Sequence, residues 1–285
     1  ASVEDLMAAT AIRSANDASY ALAEVVSGTA DAFVELMNAR AEELGMSNTH
    51  FANPEGLDDP DHYTTARDIA IMSRELLAHP RVLEWTSTWI GNMRGGTYDL
   101  FNTNRLIKAY EGADGLKTGQ TDTAGWCLVG TAARGGTRLL SVVLGAASDD
   151  DRVRETSKLL DYGFQKFERT RFVDAGASVG MIRVPSAATQ DVAVVAADDV
   201  VLLSPRGFAS EIGVHFEPIQ QDISAPIEKG QPLGRVVVRM ASGEELGSTL
   251  AVAGADVPRA NAIVRAWRAI VRFFSELFGG RGTKA

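Results

Sequence analysis

The chain has 285 residues, 45% of them hydrophobic and 23% charged, an ordinary globular composition with room for one large domain and a smaller one. Its 28 basic and 37 acidic residues leave a net charge of −9, which argues against a general nucleic-acid surface. The single cysteine, Cys127, excludes an intramolecular disulfide and reads as a small buried hydrophobe, so the redox compartment stays open. No stretch reaches the ~18 apolar residues of a membrane span, and no signal peptide is legible. His50, His62, His79 and His215 are scattered without ligand spacing, so neither a metal nor another cofactor is expected.

In chain order, Ser2 and Asp5 read as a helix N-cap with its acidic partner, opening an Ala-rich apolar helix through Ile12. That helix needs a core on nearly every side. Arg13-Ser14-Ala15-Asn16-Asp17 is a polar break before a second helix from about Ala18 to Val26. Thr29 to Leu44 is a helix with Phe33, Leu36, Met37 and Leu44 as its apolar stripe. Asn48 to Tyr63 is a long loop. Thr64 or Thr65 caps the next helix, which ends before Pro80. Residues 86 to 110 suggest a hairpin about Gly95-Gly96. Gly115-Leu116-Lys117-Thr118-Gly119-Gln120-Thr121 then leads into two apolar strands, from Trp126 and from Arg138, joined at Gly135-Gly136. Both strands are nearly continuous apolar runs, so both faces of the sheet are expected to be covered. Arg152 to Glu168 is a helix with Val153, Leu159, Leu160, Phe164 and Phe167 inward.

From Arg171 the pattern turns to short β-rich runs between Gly, Pro, Asp and Asn, which predicts a small all-β domain over about 171–256. The tail is different again. Ile263, Val264, Trp267, Ile270, Val271, Phe274, Leu277 and Phe278 fall on one helix face, and Arg259, Arg265, Arg268 and Arg272 on the other. Residues 257–285 hold six basic residues, with Arg281 and Lys284, against the acidic Glu276, a net +5. Such a basic amphipathic helix, with Trp and Phe on its apolar face, suits an anionic membrane interface; packing on its own domain or on a partner is the other reading.

Ser14-Ala15-Asn16 has the Ser-x-Asn pattern, and Lys117-Thr118-Gly119 follows about a hundred residues later on a strand. With Asn48-Thr49-His50-Phe51, Thr65-Ala66-Arg67-Asp68, Ala124-Gly125, the β-domain and the tail, the whole chain resembles the low-molecular-mass penicillin-binding proteins, serine-type D-alanyl-D-alanine carboxypeptidases that trim peptidoglycan stem peptides. The resemblance implies an α+β fold: a serine-transpeptidase (β-lactamase-like) domain over 1–170 with an antiparallel sheet and helices on both faces, the all-β domain over 171–256, and a C-terminal amphipathic membrane-anchor helix and tail over 257–285. It implies catalytic roles for Ser14, Asn16 and Lys117. Ser14 would relay a proton to the leaving D-alanine, Asn16 would hold a substrate carbonyl, and Lys117 would make the site positive. It implies substrate-binding roles for Thr118, Gly119, Gln120, Thr121 and Arg152. Thr118, Thr121 and Arg152 would hold the terminal carboxylate, Gly119 would open the strand edge, and the Gln120 N–H would be one oxyanion donor. The implied partners are stem peptides ending in D-Ala-D-Ala, β-lactam antibiotics and a membrane surface, in a bacterial periplasm or at the cell exterior.

The sequence departs from the family in one respect. The family nucleophile is the Ser of a Ser-x-x-Lys motif, and no serine of this chain has a lysine three positions on. Ser19, Ser73 and Ser141 lack a Lys or His at useful spacing. The expectation is that an N-terminal segment with the nucleophile is cleaved, carried on another chain, or absent. The alternatives are an inactive scaffold for stem peptides and, less well matched to the β-domain and tail, a β-lactamase.

Overall fold

The structure, a computed structural model, describes residues 1–207, 211–219 and 222–278, with the backbone alone for residues 269 and 272–278. It divides into two compact units, Ala1–Lys166 and Phe167–Ala285. The division falls four residues before the expected end of the first domain. Phe167 to Val173 does not extend the preceding helix but forms a strand of the second unit.

The first unit opens with helix α1 (Val3–Ala8), started by a capping box between Ser2 and Asp5, and continues through a π-helical turn at Ala9–Arg13. Helices α2 (Asn16–Ser27), α3 (Ala30–Glu43) and α4 (Ala66–Leu77) follow. The Thr29 and Thr65 hydroxyls cap α3 and α4 by accepting from the Ala32 and Asp68 N–H groups. The α3 stripe is shifted from the expected one: Ala30 and Ala41 are buried, while Leu36 is 52% exposed. The long 48–64 loop is tied down at both ends. The buried Asp68 carboxylate accepts from the Asn48 N–H at 2.9 Å and from the Thr49 hydroxyl at 2.8 Å, and His50 pairs with Tyr63. Asp68→Ala strands these donors, each at about 1–3 kcal/mol when buried, so a clear fall in the urea midpoint of this unit is the expected outcome.

Helix α5 (Val82–Thr86), the hairpin β1 (Ile90–Met93) and β2 (Tyr98–Phe101), and the short α6 (Leu106–Ala109) lead to the main sheet. That sheet is antiparallel, in the order β3 (Ala113–Thr121), β4 (Gly125–Arg134), β5 (Thr137–Ala146). Helix α7 (Asp149–Lys166) packs against β4 and β5, burying Leu160 with Leu106, Leu128 and Ala132. Leu159, expected inward, is 48% exposed. Helix α4 also packs on β4 and β5, so the sheet carries helices on both faces.

The second unit is all-β apart from its last element. β10 (Ile212–Pro218), β11 (Pro232–Met240), β12 (Glu245–Ala253), β8 (Asp191–Ala196) and β7 (Ser178–Arg183) form one antiparallel sheet in that order, and β6 (Phe167–Val173) pairs with β9 (Val200–Pro205). Alternate residues of these strands, among them Val192, Val194, Val236, Val238, Ala251 and Ala253, build one core. Helix α8 (Ala262–Phe278) follows. The side chains of Arg272, Phe274, Leu277 and Phe278, and residues Arg281 and Lys284, lie outside the described residues. No described helix is long and apolar enough to cross a membrane.

Candidate active site

The π-helical turn ends on Ser14 with φ 59° and ψ 43°, a left-handed conformation that costs a serine about 1–2 kcal/mol. Its N–H closes the π-helical turn onto the Ala9 carbonyl. On β3 side chains alternate, so Lys117, Gly119 and Thr121 share one face. Lys117 Nζ donates to Ser14 Oγ at 2.6 Å and to the Thr118 carbonyl at 2.7 Å. Burial, with the Arg152 charge adding to it, pushes the Lys117 ammonium down to about 8. Two groups separated by a hundred residues thus form one short proton-sharing pair.

Thr118 is 8% exposed, and its hydroxyl shares a 2.6 Å hydrogen bond with that of Thr103. Thr103 in turn donates its N–H to the Ile12 carbonyl at 3.1 Å, tying β3 to the turn that presents Ser14. Thr103 is missed by reading motifs. Its signal is the polar triplet Asn102-Thr103-Asn104 set between Phe101 and Leu106. Gly119 is exposed, and a Cβ there would meet nothing closer than Cys127 Cβ at 3.7 Å. Packing within the chain therefore does not require the glycine, and the bare edge is left open to solvent. Gln120 beside it is exposed too.

Thr121 Oγ1 accepts from the Ala124 N–H at 2.9 Å. The Thr121 and Thr123 hydroxyls also hold the carboxylate of Asp58, from the long loop, below its ordinary range. Asp58 is a second residue that motif reading misses. Asn16 begins α2, two residues from Ser14, and its side chain is exposed.

Arg152, for which the resemblance implies a part in holding the terminal carboxylate, lies on α7 behind β3. It is 4% exposed, donates to the Gly119 carbonyl at 3.0 Å and the Cys127 carbonyl at 3.2 Å, and pairs with Asp149 at 2.6 Å. Its guanidinium also stacks 4.8 Å from the Trp126 ring. It grips the Gly119 segment of β3 from α7. In front of β3 lies a cavity of about 910 Å³ whose walls include Met7, Ile69, Met72, Leu116, Val129 and Leu144, with Lys117, Thr118 and Gly119 along one side. Helix α4 covers the sheet across this cavity, through Ile69 and Met72.

Residues 1–148 match the family described as D-alanyl-D-alanine carboxypeptidase, and residues 167–259 match the C-terminal domain of penicillin-binding protein 5. The chain belongs to the D-alanyl-D-alanine carboxypeptidase family. Within that family it is 36% identical to the carboxypeptidase DacF of Bacillus subtilis over 264 residues, 92% of this chain and 68% of the relative. The crystal structure of a peptidoglycan synthesis regulatory factor, PBP3, from Streptococcus pneumoniae superposes with a TM-score of 0.77 at 32% identity, over 90% of this chain and 78% of that one. Penicillin-binding protein D2 of Listeria monocytogenes, solved in a cefotaxime-bound form, superposes with a TM-score of 0.55 at 43% identity, over 57% of this chain and 67% of that one. By family the chain is a serine-type D-Ala-D-Ala carboxypeptidase with a penicillin-binding-protein fold.

Proposed function

We propose that the β3 edge binds peptidoglycan stem peptides ending in D-Ala-D-Ala and that the terminal D-alanine is removed through an acyl-enzyme. The observation that carries this reading is the Lys117 Nζ to Ser14 Oγ contact of 2.6 Å beside the open Gly119 edge. An extended peptide lies along that edge, with its carboxylate toward the Thr118 and Thr121 hydroxyls and a backbone carbonyl toward the Asn16 amide. As the scissile C–N bond breaks, the leaving amine takes its proton from the Ser14 hydroxyl, which is reprotonated from Lys117. The Gln120 N–H supports the oxyanion. Arg152 acts through β3, fixing the Gly119 carbonyl and adding positive potential behind the strand.

None of the serines in this sequence has the Ser-x-x-Lys context of an activated nucleophile, so the attacking hydroxyl belongs to a segment outside these 285 residues, in cis or as a companion polypeptide. The apolar cavity against β3 suits such a segment. β-Lactams acylate the same serine, a reading supported by the cefotaxime-bound Listeria relative. The protein works outside the cytoplasm, with α8 lying in the membrane interface.

Fluorescent penicillin tests this on a gel. The 285-residue chain alone stays unlabelled. Supplied with a Ser-x-x-Lys segment, the polypeptide that carries that serine labels, and free D-alanine appears from a D-Ala-D-Ala peptide. Labelling of the chain alone would show that one of its own serines attacks. Failure of both readouts with the segment present favours a non-catalytic peptide-binding scaffold.

A further inference from the structure

The chain reaches α8 by a route that fixes its orientation. Ala188 N–H donates to the Pro258 carbonyl at 2.8 Å, and Ala260 N–H donates to the Ser186 carbonyl at 3.0 Å. Residues 258–260 therefore run as an extra edge along the segment between β7 and β8. Asn261 then caps the helix, its side-chain oxygen accepting from the Val264 N–H at 2.9 Å. Two helical turns beyond that cap, Arg268 returns to the same segment. Its guanidinium donates to the Ala187 carbonyl at 2.7 Å, the Ala188 carbonyl at 3.0 Å and the Pro185 carbonyl at 3.4 Å. Val264, one turn before Arg268, is half-buried on the same side. The flank turned away from this clamp is bare: Ile263 is 81% exposed, Trp267 66% and Ile270 48%, and Val271, on the stripe of Val264, is 49% exposed one turn beyond Arg268.

This inverts the usual arrangement of a helix on a soluble domain, which turns its apolar stripe inward. Here a polar clamp beside Val264 holds the helix, and the rest of the described apolar stripe, Ile263, Trp267 and Ile270, faces out. A guanidinium is suited to the task because its fork of donors can serve several carbonyls at once, while a carbonyl cluster accepts what no lipid phosphate then receives. Of the basic residues near the helix start, Arg268 is thus committed to the protein, and Arg265 is exposed.

We propose that Arg268 is the positioning residue of a preformed docking face for an anionic lipid surface. It locks α8 to the 185–188 segment, so that Ile263, Trp267 and Ile270 are presented together before any membrane is met. The proposal rests on the membrane reading of the tail, which the net +5 of residues 257–285 on an otherwise acidic chain supports by charge complementarity. It adds that the helix does not fold on contact. A face ordered in advance spares the ordering cost of a segment that folds on binding.

The test uses the full chain with a nitroxide on Ala266→Cys in a Cys127→Ala background, and vesicles of phosphatidylglycerol and phosphatidylcholine. Free in solution, the label reports an immobile helix. Arg268→Gln raises its mobility at least twofold, and Arg265→Gln does not change it. On vesicles, Arg265→Gln weakens flotation about fivefold, the effect of one basic residue near the surface. Arg268→Gln weakens it more than tenfold, and Arg268→Lys recovers little of that loss because one ammonium cannot span the carbonyls. Equal losses for the two glutamine variants, with label mobility unchanged, would make Arg268 an ordinary lipid-facing cation and overturn the proposal while leaving the membrane reading intact. Mobility that rises only in Arg268→Gln, in a chain that floats with no vesicle, would confirm the clamp and remove the lipid surface as its purpose, overturning both the membrane reading and the docking face.

Discussion

Replacing Lys117 by methionine should lower the rate of penicillin acylation and of D-alanine release by about 10²–10⁴, the range for removing a positioned proton donor, in protein that carries the nucleophile segment. The loss should fall mainly on kcat, since the ammonium acts on the Ser14 hydroxyl and only secondarily as a field for the carboxylate. The same variant should be more stable than the parent, which separates a relay from a structural lysine. Burial lowers the Lys117 pKa from 10.5 to about 8, so the folded state binds fewer protons than the unfolded chain between those values. By linkage, the parent gains stability as pH rises from about 8 to 10.5 and carries its full penalty below about 8. Lys117→Met removes that penalty, worth on the order of 1–2 kcal/mol after allowance for the partial solvent exposure of the residue. Its advantage in melting temperature should be largest at pH 6–7 and shrink above pH 8. Activity of the parent should fall as pH rises through about 8, because the neutral amine can no longer return a proton to Ser14. A variant that melts lower at pH 7 and keeps its rate would refute both halves.

Much of this site is legible in the sequence because its chemistry is carried by short, rigid signals. Lys117-Thr118-Gly119 before an apolar hairpin fixes a strand edge, and a polar Ser-Ala-Asn interruption between two apolar helices fixes a turn. Their contact cannot be read locally, since it depends on how α1 and β3 pack. The residues that escape motif reading are the ones that brace others. Thr103 holds Thr118 through a loop whose sequence only announces polarity, and Asp58 reaches the β3–β4 turn from a long loop with no periodicity. Arg152 illustrates the limit most clearly. A lone arginine in an acidic run is equally consistent with a surface, ligand or bracing role, and only the placement of α7 against β3 turns it toward the Gly119 carbonyl. In the second unit, six strands follow from short β-rich runs, whereas the start of β6 is hidden because Phe167, with Phe164, also fits the 3.6-residue stripe of the preceding helix. The alternation of half-buried Thr170 and Phe172 with exposed Arg169 and Arg171 carries the period of 2 that distinguishes it.

Filling the cavity in front of β3 should change the behaviour of the chain as strongly as losing Lys117 changes its chemistry. Leu116, Val129 and Leu144 from the sheet, and Ile69 and Met72 from α4, face an unfilled space of about 910 Å³. Apolar walls around such a space forfeit the packing contacts that a protein interior normally supplies, and a contiguous apolar patch of this kind promotes association. The isolated chain is therefore expected to bind anilinonaphthalene sulfonate strongly and to self-associate at micromolar concentration. A segment carrying Ser-x-x-Lys, added at a hundredfold excess over its Kd, should stabilise the first unit by about 2.7 kcal/mol and raise its melting temperature by roughly 5–10 °C. Met72→Glu supplies the control. Met72 is only half-buried in the chain alone, so the substitution should shift the melting temperature of the isolated chain by no more than about 2 °C, while a carboxylate inside the filled cavity would be desolvated without a partner and abolish the stabilisation by the segment. An isolated chain that stays monomeric and leaves the dye dark would show that the cavity is closed in solution, and an undiminished response of Met72→Glu to the segment would place its docking site elsewhere.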